Sequence, residues 1–100
     1  MNEFPFDDWW TTNQYDSRYK VPEGKGVYVI VEYFIDGTNR ILYVGSSSDL
    51  YKRIQTHEVI RISSFFVYHM KIYWKNFINP LFYEYKLINE ILPPLNKKFQ

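Results

Sequence analysis

Two phenols, a guanidinium, an imidazole and a carboxylate stand out in this sequence, because their spacing lets a small fold gather them. Tyr28 lies early and Tyr43 late in two runs that read as a hairpin turning near residues 36–39, which brings the two close to opposite each other. Val44-Gly45-Ser46 follows at once, and the glycine permits a tight turn into a helix whose free N-terminal amides attract anions. On that helix Arg53 and His57 are four apart and project from one face. Glu84 sits beside the stripe of Leu81, Ile88 and Ile91 and away from Lys86 and Glu90, and a carboxylate bordering a core is costly unless it is paired or binds a metal. Two phenols, a guanidinium and an imidazole would then surround one anion-attracting place.

Singly, each residue has an ordinary use. Tyrosines in strands usually pack, an Arg–His pair on a helix usually faces solvent, and Asn96 is a plausible turn cap. His69 shares a face with Lys71 and is left outside the site.

The elements that must position these groups follow from pattern. Residues 1–23 show no sustained period and end in the turn signal Val21-Pro22-Glu23-Gly24, so they read as an irregular N-terminal arm in which Trp9, Trp10 and Tyr15 pack on something. Residues 26–35, GVYVIVEYFI, are β-branched and aromatic, and Asp36-Gly37-Thr38-Asn39 turns them into Ile41-Leu42-Tyr43-Val44. Ser46-Ser47-Ser48-Asp49 supplies a helix start, with Leu50 and Ile54 four apart, and predicts a helix over 48–60. Alternation of Phe66, Tyr68, Met70, Ile72 and Trp74 against His69 and Lys71 predicts a third strand. Asn79-Pro80 opens a second helix with Leu81, Tyr85, Ile88 and Leu92 at helical spacing, and Pro93-Pro94 stops it.

Composition narrows the class. One hundred residues, 46% apolar and 21% aromatic, make one packed domain rather than two or a disordered chain. The absence of cysteine removes disulfides, thiolate nucleophiles and zinc-thiolate sites, so any metal must be held by oxygen or imidazole. No apolar run reaches about 18 residues and the MNEFPFDDWW start is acidic, which together predict a cytoplasmic protein with no membrane association. The net charge of +1 hides an asymmetry: three basic and seven acidic residues up to position 36, nine and four after it. A basic body suits a polyanion, although solvated lysines on a surface explain such an excess equally well.

Gly26-Val27-Tyr28 and Tyr43-Val44-Gly45, followed by Ser46, Arg53 and His57, resemble the motifs of the GIY-YIG nuclease family. The later EYKLINEILPPLN, beginning at Glu84, is similar to that family's final helix with its metal-binding Glu, and Asn96 falls after Pro-Pro where the family places its Asn. The likeness spans residues 22–97. It implies an α+β fold, a three-stranded antiparallel sheet flanked by helices in the order β-β-α-β-α, with residues 24–100 as the nuclease domain behind the arm. It implies a metal-dependent endonuclease acting on duplex or branched DNA. Glu84 would bind Mg²⁺, with Mn²⁺ able to substitute, and Arg53 would hold the scissile phosphate. Tyr28 is the general base on this reading, Tyr43 and His57 orient the water or relay its proton, and Asn96 completes the catalytic set. A phenol near pKa 10 serves as a base at neutral pH only if that value is lowered by several units.

Ser46, Lys52, Arg53, Lys71 and Lys97 are the expected nucleic-acid contacts. Many family members carry a Lys three residues after the first-motif Tyr, where this chain has Val31, so Lys71 or Lys52 would have to supply that charge. Two rivals share the fold: a binding module that no longer cuts, and a nuclease subunit directed by a partner or acting as a homodimer.

Overall fold

The computed structural model describes residues 9–13, 21–56, 67–91 and 93. They form a small α+β domain: strands β1 (Trp10–Asn13), β2 (Gly26–Phe34) and β3 (Asn39–Ser47), helix α1 (Leu50–Gln55), strand β4 (Val67–Asn76) and helix α2 (Pro80–Ile91). The strands make one antiparallel sheet in the order β1-β4-β2-β3. Both helices follow β3 in the chain, and each covers one face of the sheet.

β2 is an inner strand, which explains its almost continuous apolar run. Val27, Val29 and Val31 point to the face carrying Leu87 of α2, while Tyr28 and Ile30 point to the face carrying Leu50 and Ile54 of α1. All five are buried. The hairpin turn closes as the sequence predicts. Gly37 takes φ +90°, a conformation that suits glycine, and the Asp36 carboxylate accepts hydrogen bonds from the Thr38 N–H (2.9 Å) and hydroxyl (2.6 Å).

The β2–β3 register shifts by one residue, so that Ile30 faces Tyr43 and Val31 faces Ile41. Leu42 is the extra residue of a bulge, and the bulge sends Leu42 and Tyr43 to the same face, where both pack in the α1-side core. Along α1, Asp49 is the N-cap, its carboxylate accepting from the Lys52 N–H at 3.3 Å.

The expected three-stranded sheet has four strands. Trp10–Asn13, placed in an irregular arm, pairs with β4, Trp10 opposite Trp74 and Asn13 opposite Lys71. Trp and Thr favour strands, but four residues are too few to display a period. Val21, assigned to the same arm, is buried against α1-side residues. Of the helix expected over 48–60, the structure shows Leu50–Gln55 with its C-cap at Thr56, whose hydroxyl donates back to the Lys52 carbonyl at 3.1 Å, and residues 57–60 lie outside the described residues.

A further correction concerns α2. Its core contact is Leu87, flanked by Tyr83, Ile88 and Ile91, whereas Leu81 and Tyr85 of the expected stripe are 69% and 73% exposed. The helix is apolar on more than one side, so helical spacing alone does not choose the inward face. Among the described residues, no helix is long and apolar enough to cross a membrane.

Candidate active site

The geometry of the site begins with a missing side chain. Gly45 lies directly opposite Tyr28, on the edge strand β3. A Cβ at Gly45 would overlap the Tyr28 phenol, so the glycine is what lets the ring lie across the edge strand. Gly26 has a parallel role: a Cβ there would collide with Leu50 and with the Lys75 carbonyl, so α1 and β4 close on the start of β2 only because that position is bare. Both motif glycines are explained by close approach rather than by unusual backbone angles.

Tyr43 reaches the same place by another route. It is not opposite Tyr28, as the simple hairpin predicts, but two positions away on the diagonal, opposite Ile30. The bulge turns it onto Tyr28's face, and the two rings stack with centroids 6.1 Å apart and planes 20° from parallel. The ring row extends the other way: Tyr28 faces Trp74 on β4, and Trp74 stacks on Trp10 of β1 at 6.4 Å.

Arg53 of α1 hydrogen-bonds the Tyr28 hydroxyl, and the Glu84 charge also acts on it. Glu84 comes from the opposite face of the sheet. Its carboxylate accepts a 2.6 Å hydrogen bond from the Ser46 hydroxyl, Ser46 being paired with Val27 on β3. The site therefore straddles the sheet edge at Gly45, with Arg53 and two phenols from the α1 side and Ser46 with Glu84 from the α2 side.

Burial dominates the electrostatics of the phenol. Burial pushes the Tyr28 pKa well above its ordinary value; the Tyr43 charge adds to the rise, the Arg53 charge and hydrogen bond oppose it, and the Glu84 charge reinforces it. The direction runs against the lowered pKa that a base at neutral pH requires.

Glu84 is half-buried. Among the described residues no cation pairs with it, and its hydrogen-bond partner is the neutral Ser46. No group of three or more His, Asp or Glu that could hold a metal exists among the described residues. A lone carboxylate with an adjacent hydroxyl is a donor set for a hard cation that keeps most of its shell as water and substrate oxygen, and Mg²⁺ or Mn²⁺ fits that description.

Other expected contacts separate. Lys52 is exposed on α1. Lys71 lies on the α2-side face, its ammonium 5.4 Å from the Tyr33 ring centroid, and Val31 is buried on that face too. Neither Lys71 nor Val31 is on the Tyr28 face. His57, Asn96 and Lys97 lie outside the described residues. Sequence reasoning passed over Lys25, which precedes Gly26 and lines a cleft with Ser46, Ser47 and Ser48. Its position one residue before the first motif, at the strand end where β3 finishes, was the available signal.

No protein-family model, curated protein or solved structure matches the chain.

Proposed function

We propose that the site hydrolyses phosphodiester bonds in DNA, as the GIY-YIG motifs suggest. The observation that carries the reading is the meeting of Tyr28, Tyr43 and Arg53 with Ser46 and Glu84 at the Gly45 edge, an arrangement for which two buried-site glycines are required.

Glu84 would hold Mg²⁺ or Mn²⁺, which when bound would neutralise phosphoryl charge and acidify water. Arg53 offers a forked donor set to a phosphate while one of its N–H groups holds the Tyr28 oxygen. Tyr28 is buried, and its oxygen holds the Arg53 guanidinium, so it acts as a positioning group for the arginine that meets the phosphate. Ser46 fixes one carboxylate oxygen of Glu84 and leaves the other for a cation.

The test is supercoiled plasmid with Mg²⁺ or Mn²⁺, comparing the native protein with Glu84→Gln and Tyr28→Phe. Nicking by the native protein that both variants lose by about 10²-fold or more supports the reading. Native protein that binds the plasmid without cutting it identifies a binding module instead.

A further inference from the structure

Beside Glu84 is a cleft of about 440 Å³ with a mixed lining. Lys25, Ser47, Ser48 and Asn79 make it polar in part, and Ile78, Pro80 and Leu81 make the rest apolar. Ser46, which bonds Glu84, lines it as well. The apolar part continues outward along α2, because Leu81, Phe82 and Tyr85 share a side of the helix and are 69%, 69% and 73% exposed, with Ile78 at 94%. An exposed apolar patch beside a candidate site marks a binding surface.

We infer that this cleft takes one unstacked nucleotide of the substrate, and hence that the protein prefers DNA with unpaired bases to uniform duplex. The inference rests on the nuclease reading of the adjacent site for its ligand class. A nucleotide presents a phosphate and a flat apolar base, matching a cleft that offers a lysine and hydroxyls together with Pro80 and Leu81. The volume suits a ligand of small-molecule size and excludes a duplex. A base still stacked in a duplex has both faces covered by its neighbours, so the apolar part gains contact only with a base released from the stack. A protein partner fits less well, since interface cores are poor in lysine and serine.

The experiment uses the native protein in EDTA, which permits binding without cutting, and three probes: a fully paired duplex, the same duplex with one unpaired 2-aminopurine, and the matching single strand. The unpaired probes should bind about tenfold more tightly than the paired duplex, and the 2-aminopurine fluorescence should change on binding. Ile78→Ala with Leu81→Ala, both at exposed positions, should erase that preference while leaving duplex affinity in place. Lys25→Ala should weaken all probes alike and reduce the salt slope by about one.

Equal affinity for paired and unpaired probes overturns the inference, as does a preference that survives the double substitution, or no binding to any probe. So does light scattering that shows a dimer dispersed by the double substitution, because the apolar part would then belong to a second copy. Preference without cleavage after Mg²⁺ is added removes the nuclease reading and keeps this one; cleavage of paired and unpaired DNA at equal rates does the reverse.

Discussion

Two glutamates near opposite ends of the same sheet show how environment divides one side-chain type between structure and chemistry. Glu32 is 2% exposed and its carboxylate is held by the Arg40 guanidinium at 2.7 Å, across the β2–β3 pair. Arg40 in turn lies over the Phe34 ring at 5.7 Å. Glu84 is more open and, among the described residues, has a neutral hydroxyl in place of a cation. A buried carboxylate whose charge is already matched has nothing left to offer; one whose charge is unmatched beside a cleft retains its affinity for a cation.

The comparison breaks most sharply at Glu84. Glu84→Gln should lower plasmid nicking by about 10²-fold or more with little change in the urea midpoint, because the amide keeps the Ser46 bond. A large fall in the urea midpoint with unchanged nicking would make Glu84 the structural residue of the two. Next in size is Gly45→Ala, which should destabilise the fold by about 1–3 kcal/mol through overlap with the Tyr28 ring. The same change in a Tyr28→Ala background should cost much less, and equal costs in both backgrounds would place the strain elsewhere.

At the other end of the sheet, Arg40→Ala should remove about 1–2 kcal/mol of stability and leave nicking unchanged. The loss is that of an unpaired buried carboxylate, moderated because the Arg40 side chain is 55% exposed. The finest distinction is in alkali. Above the ordinary phenol pKa of 10.0 the unfolded chain ionises at Tyr28 while the folded chain keeps its proton. The folded state then binds more protons, so stability falls as pH rises, by up to about 1.4 kcal/mol per pH unit for one group. Urea melts at pH 9, 10 and 11 should show a shallower decline for Tyr28→Phe than for the native chain, and identical slopes would contradict a phenol kept protonated by burial.

What could be read from the chain follows from the range of the physics involved. The β2–β3 hairpin was legible from its β-branched run and turn residues, and the inward residues of β4 because Met70, Ile72 and Trp74 alternate with polar neighbours. Meeting of Tyr28, Tyr43, Arg53 and Glu84 at one edge was legible as an expectation from motif order, whereas the diagonal Tyr28–Tyr43 stack was not, since one bulged residue at Leu42 is invisible in the pattern. β1 was lost because Trp10–Asn13 is defined by its partner, β4, rather than by itself. The inward face of α2 was misread because Leu81 and Tyr85 are as apolar as Leu87, and only the sheet decides which of them it covers. Lys71 was preferred to Lys25 because charge along a sequence carries no information about which face of a sheet it serves.

The strand order also bears on assembly. The β2–β3 hairpin needs only its own short turn to close, and β4 can then dock on β2. β1 is an edge strand whose neighbour in the sheet is β4, so it has no template until β4 is in place, although it precedes every other strand in the chain. Trp10 meets Trp74 only when β1 joins β4, and the 6.4 Å indole pair is a natural optical marker for that joining.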